Sequence, residues 1–228
     1  MFKGRTIIGL IPARGGSKRL PGKNILDLCG RPLVAHTISE AGKSRYLDGI
    51  IVSTDDSAIS AVAKRYGASV PFIRPSRLAS DRAKTADVAL HALERLEESA
   101  RACDIVAVLQ PTSPLRRSSD IDAAIELLFR KRASAVVSVT WAGGQSLWPA
   151  VTRNGLIKKA PGAGAAGASR KGYYRLNGAL YVIYADALKK TSGFYPDKTY
   201  AYVMPKERSV DIDDITDFKL AEFLIKRR

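Results

Sequence analysis

Thr6-Ile-Ile-Gly-Leu-Ile-Pro-Ala-Arg-Gly-Gly-Ser-Lys-Arg-Leu-Pro-Gly-Lys-Asn24 is the stretch that decides how this chain is read. Thr6–Ile11 is the apolar run of a strand, and it breaks into a Gly-rich, basic loop. Arg14, Lys18, Arg19 and Lys23 bring positive charge, and no Asp or Glu occurs before Asp27. A strand opening into such a loop is how an α/β protein offers backbone N–H groups and cations to a phosphate. Gly15 and Gly16 lack a Cβ, can take positive φ and let the backbone close on a ligand. Two familiar motifs are excluded. A Walker A loop needs Gly where Ser17 stands and Ser or Thr where Asn24 stands, and the G-x-G-x-x-G spacing is absent. The loop is predicted to bind polyphosphate in another way.

The rest of the chain sets that loop in an α/β frame. Apolar runs at Gly49–Ser53, Val70–Ile73, Ile105–Leu109, Ala135–Thr140, Ala179–Tyr184 and Tyr200–Met204 read as further strands. Helices are expected after Pro32, Asp56, Thr85, Ser118 and Asp214. Ala86, Ala89, Leu90, Leu93 and Leu96 form a helical stripe, as do Ile121, Ala124, Ile125, Leu128 and Phe129, and both are core. The alternation predicts a mainly parallel sheet flanked by helices, in one domain spanning residues 1–228. Residues 141–175 break it with the Ala160–Ser169 Ala/Gly run, beside Trp148, Tyr173 and Tyr174. That segment is predicted to be a flap or dimerisation excursion.

A chain of 228 residues with 46% hydrophobic and 26% charged content has ordinary globular composition. No apolar run is long enough to span a bilayer, and no signal-peptide core follows Met1. Cys29 and Cys103 form no CxxC and no cluster with His36 or His91, which fits reduced thiols in the cytoplasm. The net charge of +15 raises nucleic acid as a partner, but Lys and Arg are dispersed and no nucleic-acid motif is present.

The opening loop resembles the N-terminal signature of the CMP-sialic acid synthetases (acylneuraminate cytidylyltransferases). The resemblance continues in family order through Ile51–Asp56, Arg74–Asp81, Leu109–Arg116, Arg175–Ala179 and Asp211–Asp213. It implies a Rossmann-like nucleotidyltransferase fold and a loop that holds the triphosphate of CTP. Ala13, Arg14, Gly15, Ser17, Lys23 and Asn24 then fall to the nucleotide, together with Arg74, Ala83 and Thr85, with Ser80 and Asp81 shaping that loop. Gln110, Thr112, Ser113, Arg175, Asn177 and Tyr181 fall to the acidic sugar. One departure lies upstream of Asn177, where the family's Arg-Gln pair is missing and Arg170 stands in a shorter segment.

Nucleotidyl transfer needs the triphosphate neutralised, the α-phosphate aligned and the leaving pyrophosphate stabilised. Arg14, Lys18 and Lys23 suit the first and last tasks, and Lys23 is expected to be a solvated loop cation whose loss would spare the fold. Asp211 and Asp213 sit two apart, so in an extended segment both carboxylates reach one site. From the residues alone they are either caps of the last helix or ligands of a hard cation. The resemblance makes them the Mg²⁺ site, with Mn²⁺ as a substitute, and leaves Asp214 to cap the helix. Arg175 offers a planar fork to a carboxylate. No His lies in these motifs, so a metal-bound water or hydroxide is the expected proton acceptor. The reading is therefore a homodimeric cytidylyltransferase that joins CMP from CTP to a nonulosonic, nine-carbon acid. Catalysis would rest on Arg14, Lys18, Lys23 and Asp211. CMP-Kdo synthetase is the enzymatic rival, and a basic nucleic-acid-binding module the non-enzymatic one.

Overall fold

The computed structural model describes residues 1–100, 102–143, 150–151, 154–158 and 173–227. The opening apolar run forms β1 (Ile7–Pro12), whose period of two divides it between two layers. Ile7 and Ile11 pack toward α1 (Leu33–Gly42), α2 (Ser57–Arg65) and α4 (Ser118–Arg130). Leu10 packs toward α3 (Thr85–Glu98) and α5 (Ala185–Thr191). The central strand β3 (Ile105–Leu109) is divided in the same way, Ile105, Ala107 and Leu109 facing one layer and Val106 and Val108 the other. Being buried on both faces, it reads as an unbroken apolar run.

The other strands of this sheet are β2 (Gly49–Ser53), β4 (Ala135–Gly143), β7 (Tyr173–Tyr184) and β8 (Thr199–Met204). Their order is β2-β1-β3-β7-β4-β8, and β5 (Ala150–Val151) pairs separately with β6 (Ile157–Lys158). Only β7 runs against its neighbours in the large sheet. The carboxyl ends of β1, β2, β3, β4 and β8 therefore share one edge with the amino half of β7. That edge is where open α/β sheets gather ligands. The last helix, α6 (Ile215–Lys226), closes over Leu28, Leu33 and Ile212 through Phe218 and Ala221.

Several sequence expectations need correction. Val70–Ile73 is no strand: within it only Ile73 makes an isolated bridge, to Thr54, and Ser69 just before it makes another, to Ile51. Pro71 within it has no N–H to give to a ladder. The strand expected at Ala179 begins at Tyr173. The helix α5 has no counterpart in the reading, because seven residues are too few to show a helical period. Of the excursion expected at 141–175, the ends of β4 and β7 and the short β5–β6 pair are seen. Trp148, Arg170 and the Ala160–Ser169 run lie outside the described residues.

Candidate active site

The basic loop leaves β1 at Pro12 and is fixed at Ala13, whose N–H donates to the Ser53 carbonyl at 3.0 Å. The Gly15 N–H donates to Asp55 Oδ1 at 3.1 Å. The glycines act differently from the sequence expectation. Neither Gly15 nor Gly16 has positive φ; the left-handed position is Gly22, with φ 65°. What Gly15 provides is close approach, since a Cβ there would lie 2.9 Å from Asp56 Cβ and 2.7 Å from its Oδ2. Asp56 cannot swing clear, because its carboxylate caps α2 by accepting from the Ile59 N–H at 2.9 Å.

Two of the loop cations share one partner. Arg14 and Lys18 both pair with Asp81, at 2.7 and 2.8 Å, and together they hold its carboxyl below the usual range. Asp81 belongs to the turn that leads through Ala83 into Thr85 and α3, so this pairing joins two sequence-predicted nucleotide regions. Asn24 is buried. Its Nδ2 donates to the Arg14 carbonyl at 2.9 Å, while its Oδ1 has no partner. Ser17 donates its N–H to the Gly15 carbonyl at 3.0 Å and closes the turn.

Across the loop lies the Asp pair. Ile212 is fully buried among Leu28, Leu33 and Phe218, and its N–H donates to the Thr112 carbonyl at 2.8 Å. Anchoring that middle residue inward turns Asp211 and Asp213 outward together. Asp213 pairs with Arg19 at 2.9 Å and lies 3.9 Å from Lys23 Nζ. Lys23 is not the solvated cation of the sequence reading. Its side chain is 12% exposed, and Nζ donates to the Ile212 carbonyl at 2.6 Å. Burial, then repulsion from Arg14 and Arg19, lowers its pKa against the pull of Asp213 and Asp211.

The Asp211 carboxyl sits above the ordinary range, because the surrounding crevice strips its hydration and Asp213 repels its charge; a Thr112 hydrogen bond opposes this. Solvent still reaches Asp211 and moderates the shift. Gly178, with φ 71°, brings β7 close: a Cβ there would lie 3.7 Å from Asp211 Oδ2. No group of three or more Asp, Glu, His or Cys side chains among the described residues could hold a metal. Two carboxylates suit an ion that completes its shell with phosphate oxygens and water, as Mg²⁺ does.

The remaining sequence-predicted residues line the same sheet edge. Arg74 is buried against Ser53: Nε donates to Oγ at 3.0 Å, and the terminal nitrogen donates to the carbonyl. Burial lowers its pKa to about 10. Gln110 donates from Nε2 to Thr85 Oγ1 at 3.2 Å, joining the β3 turn to the start of α3. Ser113 is buried with an unpartnered hydroxyl. Tyr181 stacks on Phe194 with ring centroids 4.5 Å apart, and burial raises its pKa. Arg175 is exposed where β7 pairs with Thr140 of β4. Asn177 is occupied on every side. Its Oδ1 accepts from Ser138 Oγ at 2.6 Å, and its Nδ2 donates to Ser209 Oγ at 2.9 Å.

Arg116 is the part of this edge that the sequence reading left without a role. It is fully buried, donating to the Ala179 carbonyl at 2.7 Å, the Gln110 carbonyl at 3.1 Å and Thr37 Oγ1 at 3.0 Å. It thereby fixes the Gln110 turn against β7 and α1. No spacing signal separates it from the exposed Arg117 beside it. A cavity of about 530 Å³ lined by Arg5, Cys103, Asp104 and Tyr184 lies at the opposite sheet edge, away from all of these groups.

Residues 8–155 match the cytidylyltransferase family. The chain is 35% identical to the CMP-N,N'-diacetyllegionaminic acid synthase of Legionella pneumophila, over 96% of each chain. The chain belongs to the cytidylyltransferase family. This cytidylyltransferase is 30% identical to the pseudaminic acid cytidylyltransferase of Campylobacter jejuni, over 95% of each chain. An N-acylneuraminate cytidylyltransferase of Escherichia coli matches at 36% identity, over 94% of this chain and 51% of that protein. Among solved structures, a CMP:2-keto-3-deoxy-manno-octonic acid synthetase complexed with CTP superposes with a TM-score of 0.78. It covers 97% of this chain and 99% of its own at 17% identity, so the likeness is one of fold. No described helix is long and apolar enough to cross a membrane.

Proposed function

We propose that this cytidylyltransferase transfers CMP from CTP to the anomeric 2-hydroxyl of a nonulosonic acid and releases pyrophosphate. One observation carries the reading. Lys23 and Arg19 of the basic loop meet Asp213, beside Asp211, at the carboxyl edge of the sheet. A cation loop and a carboxylate pair facing each other suit a triphosphate bound with a divalent ion. The names of the full-length relatives, at 30–35% identity, supply the substrate class.

In this scheme the sugar hydroxyl oxygen attacks the α-phosphorus in line. The bond to the bridging oxygen of the β-phosphate breaks, and pyrophosphate leaves with its electron pair. The hydroxyl proton passes to solvent. Arg14, Lys18 and Lys23 take up the charge that builds on the leaving group. Asp211 and Asp213 would hold Mg²⁺ or Mn²⁺, which when bound neutralises and polarises the phosphates. Ala13, Gly15, Ser17, Asn24, Arg74, Ala83 and Thr85 would seat the nucleotide. Gln110, Thr112, Ser113, Arg175, Asn177 and Tyr181 would face the sugar, with Asn177 reached only if its present partners let go. The active form is a homodimer built through residues 141–175, working in the cytoplasm.

The deciding experiment offers CTP and Mg²⁺ with N-acetylneuraminate, legionaminate, pseudaminate and Kdo, and follows pyrophosphate. Release with one of the nine-carbon acids is expected. Release with Kdo alone would move the assignment to the eight-carbon sugar, and release with none would overturn it. Sedimentation at micromolar concentration tests the dimer: an active monomer would refute it.

A further inference from the structure

We propose that Asp120, buried in the first turn of α4, is a positioning residue that holds the Asp211–Asp213 segment in place through Arg208. The inference rests on the functional reading above. Asp120 has no exposed surface, so it cannot touch a substrate. Its Oδ1 accepts from an Arg208 terminal nitrogen at 2.8 Å and from the Tyr202 hydroxyl at 2.9 Å. Its Oδ2 accepts from Arg208 Nε at 3.0 Å and from the Arg117 N–H at 2.9 Å. The guanidinium is therefore gripped by both carboxylate oxygens, the arrangement that fixes direction as well as distance.

Arg208 ends the short 3₁₀ turn Lys206–Arg208 that follows β8, and only Ser209 and Val210 separate it from Asp211. The next residue is held too, because Ser209 Oγ receives the Asn177 amide and donates to the Pro205 carbonyl at 2.8 Å. The Ile212 N–H then donates to the Thr112 carbonyl. A carboxylate pair that receives a small, hard cation must stand in position within a fraction of an ångström. The grip on Arg208 comes from a helix that contributes nothing to the basic loop. Groups that orient a metal's ligands in this way commonly change metal affinity or activity by about ten- to a hundredfold when removed.

Asp120→Asn keeps the size of the side chain but turns an amide N–H₂ toward a guanidinium that can only donate. Asp122→Asn is the control. Asp122 is a second buried acid on the same helix, but its partners are Ser44 Oγ at 2.6 Å and Arg45 Nε at 3.0 Å, in the turn that follows α1, and not Arg208. Two measurements decide the matter. In metal-free protein, hydrogen exchange of residues 205–213 should quicken in Asp120→Asn and stay unchanged in Asp122→Asn. In turnover, Asp120→Asn should need about ten- to a hundredfold more Mg²⁺ for half-maximal rate, with KM for CTP at saturating Mg²⁺ unchanged. Arg208→Lys should fall between wild type and Arg208→Ala, since it keeps the charge but not the fork.

Unchanged exchange in Asp120→Asn would overturn the proposal. So would quickened exchange with a wild-type Mg²⁺ curve, because the contact would then serve only the fold. Wild-type protein that releases no pyrophosphate from CTP would instead defeat the functional reading, while the exchange comparison would still judge the grip on the loop.

Discussion

The segments that face each other across the site, residues 13–24 and 205–214, are restrained by opposite means. Lys18 and Arg19 are held by exposed ion pairs with Asp81 and Asp213, and Arg14 by a half-buried pair with Asp81. Such pairs contribute little and exchange readily with a better anion. The carboxylate segment is fastened by buried bonds, from Asp120 to Arg208 and from Asn177 to Ser209. A triphosphate can therefore take the loop cations from their present partners without disturbing the fold, while the pair that would meet the metal keeps its place. Lys23 crosses the divide: a member of the basic loop, it is bonded to the carboxylate segment at Ile212.

Removing that crossing should have the largest effect. Lys23→Ala is expected to lower turnover by about a hundred- to a thousandfold, the scale of one lost electrostatic stabiliser. It should also destabilise the fold by about 1.5–3 kcal/mol, because the Ile212 carbonyl loses a charged donor. Turnover and thermal melting of the same preparation test both, and an unchanged melt would return Lys23 to the class of free loop cations.

The carboxylate side is probed next. Asp211→Asn and Asp213→Asn should each raise the Mg²⁺ needed for turnover by about tenfold or more. Their stabilities follow a different rule. The folded state holds a proton on Asp211 more tightly than the unfolded chain does. That contribution is lost as pH rises through the elevated value, so at neutral pH the ionised carboxylate is a standing cost. Asp211→Asn should therefore melt slightly above wild type, within about 0.5 kcal/mol, while its activity falls. A lower melt at neutral pH would show that Asp211 supports the fold.

Gly15→Ala tests where the loop is rigid. The added Cβ collides with Asp56 at the α2 cap, and a cost of about 1–3 kcal/mol is expected by denaturant titration. Gly16→Ala, with nothing within 4 Å of its Cβ, should cost far less. Equal costs would mean that the loop yields at both positions. Smallest of all is Asp81→Asn, which removes the shared partner of Arg14 and Lys18. Stability should move by no more than about 0.5 kcal/mol, and the difference between variant and wild type should shrink further in added salt. A large loss would mean that this exposed pairing is structural.

The two regions also differ in how far they could be read from the chain. β2 and β3 were legible to the residue, because each is a short apolar run with sharp ends, β3 buried throughout and β2 along its last three residues. β7 was legible only in its core half, since Arg175, Asn177 and Gly178 do not look like strand, and no residue pattern states the direction in which a strand runs. The cation loop announced itself by charge, and the cap at Asp214 by an acid ahead of an apolar stripe. What stayed hidden depended on partners distant in sequence. Nothing local says that Lys23 is buried against Ile212, that Gly15 is packed on Asp56, or that Arg116 supports the Gln110 turn while Arg117 does not.

The antiparallel course of β7 has a consequence for how this enzyme can diversify. Gly143 at the end of β4 pairs with Tyr173 at the start of β7, so the intervening chain departs from and returns to the edge that carries the site. A parallel successor would have forced the connection back across a whole layer of helix. Both ends of this connection are pinned by the sheet, and within it Gly155 and Leu156 are fastened to Ala201 and Tyr200 of β8, so insertions on either side of that anchor need not shift the register of a core strand. The residues that would seat the nucleotide and the sugar all lie outside that interval, so its length can change while the strands that carry the site keep their pairing.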